Sequence, residues 1–175
     1  LHIFEETGNI EELAKANSYS GASHALMGNY PAAINRCLLS SRINQKIGDR
    51  NAEARCYNFI SNIYLEQKNY ELALQYAEKA SAISCRDSIS MQHALIQSTK
   101  GNIYKNTGDL DKAEKCLMKG YRIRIQFANI RHVASSLVQL AELRFLQEKF
   151  DEAKKFLDEA EQIYIELDEK TGLFN

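Results

Sequence analysis

Small and apolar residues along this chain fall three, four and seven positions apart. Ala54, Tyr57, Ser61 and Tyr64 share one helical face, and so do Ala73, Ala77 and Ala80. The same faces return at a fixed distance. Ala33, Ala73, Ala113 and Ala153 stand 40 residues apart, as do Ala14, Ala54, Ala94 and Ala134. Tyr30, Tyr70, Leu110 and Phe150 form a third column, and Ile43, Ile83, Ile123 and Ile163 a fourth, which Ile3 extends backwards. No segment alternates with period two. The pattern therefore predicts an all-α chain of antiparallel helix pairs, a solenoid in which each pair buries its apolar stripe against its neighbours. The column Gly21, Ser61, Gly101, Ala141 stays small, so the two helices of each pair approach closely.

The punctuation repeats too. Gly28-Asn29-Tyr30, Lys68-Asn69-Tyr70, Gly108-Asp109-Leu110 and Glu148-Lys149-Phe150 occupy one slot, the turn inside each pair. Asn29, Asn69 and Asp109 suit the N-cap of the following helix, and Gly28 and Gly108 the end of the preceding one. The single proline, Pro31, falls in a first turn, where its missing N–H costs little. Gly8-Asn9, Gly48-Asp49 and Asn129 mark the turns between pairs. The break at 85–90 has no glycine, and Asp87 or Ser88 is the expected cap there. Repeat units are expected at 10–49, 50–89, 90–129 and 130–169 of one domain spanning 1–175. Residues 1–9 read as the end of a preceding repeat and 170–175 as the start of a following one.

Ser61-Asn62-Ile63-Tyr64 and Gly101-Asn102-Ile103-Tyr104, followed by Ala73…Ala77…Ala80 and by Ala153…Phe156-Leu157…Ala160, resemble the tetratricopeptide repeat. The usual unit of that family has about 34 residues. The longer spacing here, with Ile47-Gly48-Asp49-Arg50…Glu53-Ala54-Arg55, resembles its long-period branch, found in cell-polarity adaptors and bacterial regulators. His24 and Arg144 depart from the tyrosine of the first helix. The tryptophan position holds Asn17, Tyr57, Gln97 and Leu137. The resemblance implies a right-handed superhelix whose first helices line a concave groove, and a protein-interaction role. The carboxylate clamp known in the family is not carried over, because Ser18 and Ala22 stand at its positions.

Composition narrows the function. A net charge of −1 gives no general attraction to nucleic acid or membrane surfaces. No apolar run approaches the roughly 18 residues of a membrane span, and the expected location is the cytoplasm. Cys37, Cys56, Cys85 and Cys116 have no metal spacing and read as free thiols. His2, His24, His93 and His132 are scattered, with His24 expected as a satisfied seam residue. No catalytic constellation, metal or cofactor is expected, and the chain does not read as an enzyme. Arg122, Arg124, Arg131 and His132 form a local basic cluster. It reads as surface charge ahead of a phosphate or acidic-peptide contact.

The groove face carries the candidate site: Lys15, Arg55, Asn58, Asn62, Asn102, Lys105, Asn106, Val138 and Phe145. Asn62 and Asn102 share a column. An amide both donates and accepts, so such a column suits an extended peptide backbone. The last unit is more apolar and offers a hydrophobic anchor. The sequence thus points to a non-catalytic scaffold or adaptor that holds a peptide or a partner helix. The alternative is a peptide-sensing segment of a bacterial signalling or transcription regulator. Leu1, Ile3, Phe4, Leu173 and Phe174 suggest end-to-end self-association.

Overall fold

A computed structural model describes residues 9–84 and 90–172, with side chains through 168. The expected caps Asp87 and Ser88, the thiol of Cys85, His2 and the apolar residues Leu1, Ile3, Phe4, Leu173 and Phe174 lie outside the described residues. Eight α-helices and no strand occur among those described. They are α1 (Asn9–Leu26), α2 (Tyr30–Ile47), α3 (Arg50–Glu66), α4 (Tyr70–Ser84), α5 (Met91–Asn106), α6 (Leu110–Gln126), α7 (Ile130–Leu146) and α8 (Phe150–Gly172). The chain divides into two compact units, Leu1–Ser88 and Ile89–Asn175. In the first, α1 packs on α2, α2 on α3 and α3 on α4. In the second, α5 packs on α6, α6 on α7 and α7 on α8. Each unit is thus two stacked helix pairs, the all-α helical-repeat arrangement the columns predict.

The turns form by one local mechanism. Asn29, Asp49, Asn69, Asp109 and Asn129 each accept the backbone N–H three residues on, at 2.9–3.3 Å. Each satisfies one of the orphan donors of a helix start. The preceding helix closes through a left-handed residue. Gly28, Gly48 and Gly108 take it at φ 74°, 78° and 82°, but Lys68, Ala128 and Glu148 take it as well, at 58°, 49° and 60°. The helix-to-helix geometry fixes that conformation whichever residue stands there. The cap of α5 is Ser90, not Asp87 or Ser88. His93, at the third helical position, accepts the Ser90 backbone N–H on Nδ1 at 3.3 Å. This is the reciprocal half of a capping box, made by a histidine in place of the usual Glu or Gln.

The alanine columns are buried throughout, and the small column does what its size allows. A Cβ on Gly101 would lie 2.5 Å from Leu117 Cδ2, and one on Gly21 would lie 2.7 Å from Cys37 Sγ. Ser61, in the same register, turns its hydroxyl to the Ala73 carbonyl at 2.7 Å. The aromatic column is less uniform than its spacing suggests. Leu110 packs on the α6–α7 core. Phe150 is exposed and meets Phe145 edge-on, with ring centres 5.4 Å apart.

Candidate functional site

In the first unit, α1 and α3 carry the candidate residues. Lys15 is exposed and paired with Glu12 at 2.7 Å, which neutralises it. Arg55 is exposed and, with Lys15, lines a tight hollow of about 100 Å³ that also contains Glu11 and Asp49. Acidic groups therefore balance the positive charge read from the sequence at this spot. Asn58 is 8% exposed, and its Oδ1 has no hydrogen-bond partner. Asn62 lines a shallow pocket of about 390 Å³ with Ala22, Leu26, Phe59 and Glu66.

In the second unit, Asn102 is half-buried, and its Oδ1 is without a partner. Asn106 is exposed and donates its amide to the Asn102 backbone carbonyl at 2.8 Å, so part of its capacity serves its own helix. Lys105 is not the free positive charge the sequence suggests. Its ammonium is ion-paired with Glu142 of α7, 37 positions away. Val138 lines a cleft of about 550 Å³ with Arg131, Leu157, Tyr164 and Ile165. Phe145, 62% exposed, lines a second pocket of about 400 Å³ with Lys105, Ala141, Glu142, Leu146 and Leu157. The structure thus brings Lys105 and Phe145 to one apolar pocket with a charged rim.

Leu157 is named by the sequence only as a packing residue of the repeat motif. Its column (Cys37, Ala77, Leu117) is buried in the other repeats, yet Leu157 is 48% exposed. Leu117 is covered by Leu140 and Leu143 of the following helix. No described residue does that for Leu157.

The basic cluster does not form. Arg124 is buried between α6 and α7 and donates to Ser136 Oγ, while its Nε has no partner. Burial pulls its pKa below the usual arginine value. Arg122 and Arg131 stay exposed, and His132 Nδ1 contacts Asn129 Oδ1 at 2.7 Å. Nor is His24 satisfied: its buried Nδ1 has no partner.

Arg144, noted from sequence as a departure at the tyrosine position, ties three helices together. Its guanidinium donates to both oxygens of Glu114 on α6, at 2.7 and 2.8 Å, and to Gln147 at 2.6 Å. Its Nε also lies 2.7 Å from Glu152 on α8, an ion pair outside hydrogen-bond geometry. The Arg144 hydrogen bonds hold the Glu114 carboxyl down at about 2.

Among the described residues no three His, Cys, Asp or Glu side chains converge as a metal site. Cys37, Cys56 and Cys116 are free thiols, and burial pushes Cys37 up to about 12. Among the described residues no helix is long and apolar enough to cross a membrane.

Residues 12–86 and 92–166 match the family model described as tetratricopeptide repeat. No curated protein sequence matches the chain. Among solved structures, the chain is similar to BtubC (BKLC) from P. vanneervenii, with a TM-score of 0.75 and 18% identity over 89% of this chain and 65% of that one. It is similar to the apo form of RapI, at 0.78 and 17% over 91% of this chain and 45% of that one. It is also similar to aspartyl phosphate phosphatase F from Bacillus subtilis, at 0.76 and 15% over 95% and 44%. The chain therefore spans about half to two thirds of the length of these structures.

Proposed function

We propose that this chain, which belongs to the tetratricopeptide-repeat family, is a non-catalytic interaction module that holds a protein or peptide ligand against the first helices of its pairs. The observation that carries this reading is the pocket of about 400 Å³ in the second unit. Its floor of Ala141, Phe145, Leu146 and Leu157 is apolar, and its rim is the Lys105–Glu142 pair. A pocket of that lining takes one or two large apolar side chains, and the rim fixes their orientation. The partnerless Oδ1 atoms of Asn58 and Asn102 support the same reading within their units. A buried amide oxygen without a donor is costly, and a backbone N–H of a bound chain would relieve it.

The test is selection of binders from a displayed library of short peptides, followed by titration calorimetry on variants. Phe145→Asp should weaken the selected peptides about 10–100-fold, the loss expected when an apolar anchor of roughly 1.5–3 kcal/mol is removed. Asn102→Ala should weaken them about 2–10-fold. Lys79→Ala on α4, an exposed residue over the Tyr76 ring, should change nothing. Equal affinity for wild type and Phe145→Asp would overturn the assignment.

A further inference from the structure

Where α2 has Ser40, α6 has Gly120, and the groups that surround Ser40 have their counterparts around that glycine. Ser40 Oγ donates to the Ala14 carbonyl, contacts Ser18 Oγ, accepts from Asn44 and lies beside Cys56 Sγ. Eighty positions on, the same places hold Ala94, Ser98, Arg124 and Ser136. A Cβ on Gly120 would lie 3.1 Å from the Ala94 carbonyl oxygen and 3.5 Å from Ser98 Oγ. Ser98 is 6% exposed, and its Oγ, which faces Gly120, has no hydrogen-bond partner. Arg124 is 3% exposed and stands one turn beyond Gly120 on α6. It donates Nη1 to Ser136 Oγ, and its Nε has no partner. Ser136 in turn donates to the His132 carbonyl at 3.0 Å. Ser136 is therefore satisfied, whereas one buried hydroxyl and one guanidinium N–H beside it are not.

Buried polar groups left unmatched are costly, and a charged donor more so than a neutral one. The set around Gly120 is mixed: an N–H that only donates, a carbonyl that only accepts, and a hydroxyl that does both. A monovalent anion would suit the N–H but would face the carbonyl oxygen, and it is wider than the hydroxyl that stands in this register in the first unit. A water molecule both donates and accepts, and it has the size of that hydroxyl. We propose that the joint of α5, α6 and α7 binds one buried water beside Gly120, which accepts from Arg124 Nε and donates to the Ala94 carbonyl and to Ser98 Oγ, as the Ser40 side chain bridges the equivalent groups of the first unit. Three hydrogen bonds are the usual complement of such a water. The bridge is thus part of the chain in the first unit and is taken from solvent in the second.

Two substitutions at one position test this. Gly120→Ser brings the hydroxyl in on the chain, and Gly120→Ala brings only a methyl group. Both add the same Cβ, so its crowding against the Ala94 carbonyl cancels between them. Helix propensity alone ranks the alanine variant as the more stable. The water site reverses that order. The methyl displaces the water and leaves Ser98 Oγ and Arg124 Nε unmatched, so the thermal midpoint of Gly120→Ala should lie about 2–8 °C below that of Gly120→Ser. An alanine variant level with the serine variant, or above it, would overturn the proposal. Oxygen-17 relaxation dispersion counts long-lived waters in solution. The wild-type chain should hold one more than Gly120→Ser, and equal counts would also overturn the site. The last arm replaces sodium chloride with sodium fluoride at fixed ionic strength. Wild type and Gly120→Ser should shift their midpoints equally. An additional shift in the wild type would mean that a halide, not water, sits beside Gly120, and the proposal would fall.

Discussion

In the first unit α2 meets α3 through Cys37, Ser40 and Asn44. In the second, α6 meets α7 through Leu117 and Arg124, in the registers of Cys37 and Asn44, while Gly120, in the register of Ser40, faces α5. The first joint is a polar network. Ser40 Oγ donates to the Ala14 carbonyl and contacts Ser18 Oγ, both at 2.8 Å. It accepts from Asn44 at 3.2 Å and lies 3.4 Å from Cys56 Sγ. The second joint is a leucine cluster flanked by two buried arginines. Both joints fall at the same register positions, 80 residues apart, so the register prescribes where helices meet and not by which chemistry. Hydrogen bonds specify geometry at little net gain. Leucines gain more, but they leave a void when truncated, and the ion pair adds a dependence on pH.

The sharpest way to break that contrast is truncation at one register position. Leu117→Ala should cost about 2–5 kcal/mol in chemical denaturation, whereas Cys37→Ala should cost about 1 kcal/mol, because far less apolar volume is removed. Equal costs would mean that the two joints do not differ in the way described. Acid titration should separate the units next. Glu114 is held at about 2 against an ordinary value near 4.5. A carboxyl with a depressed folded-state pKa stabilises the fold above its unfolded value, and that stability is lost as pH falls from about 4.5 towards about 2. Glu114 is about one third exposed, so after screening the loss should be about 1–2 kcal/mol. Amide exchange should show it in α6 and α7, and Glu114→Gln should flatten the profile. The smallest effect belongs to the polar joint. Ser40→Ala should cost about 0.5–1.5 kcal/mol, with little dependence on pH above 3 because no carboxylate bonds to Ser40. A loss as large as that of Leu117→Ala would show that the network is the main support of the first unit.

The helices, their pairing and the caps Asn29, Asn69 and Asp109 were legible because each depends on a residue that returns every 40 positions. What the sequence hid lay in the exceptions to those columns. Arg124 read as surface charge by residue type, yet it stands in the column of Asn44 and Ser84; Arg144 read only as a departure in the column of Tyr64 and Tyr104. Register outweighs residue type when a partner such as Glu114 or Ser136 is in reach. Lys68, Ala128 and Glu148 hold a left-handed turn that nothing in their chemistry announces; only their alignment with Gly28, Gly48 and Gly108 does. At the candidate site, Phe145 and Val138 were placed on open hollows. The charge of Lys105 was misread because Glu142, its partner, lies one repeat away, where spacing rules within a single helix do not reach.

The close contact of Gly101 with Leu117 has a consequence for how this sequence can drift. Facing positions in successive pairs hold Gly21 with Cys37, Ser61 with Ala77, and Gly101 with Leu117, the larger side against the smaller; the fourth pair, Ala141 with Leu157, departs from this, and there Leu157 is half-exposed. The two columns share one volume, so neither evolves alone. Alanine at position 101 meets Leu117 as it stands and becomes tolerable after Leu117 has shrunk. Leucine at position 77 would crowd Ser61 and is accepted more readily once Ser61 has become glycine. The order of substitutions, and not only their identity, decides which sequences this fold can reach, and related chains should show these two positions changing as a pair.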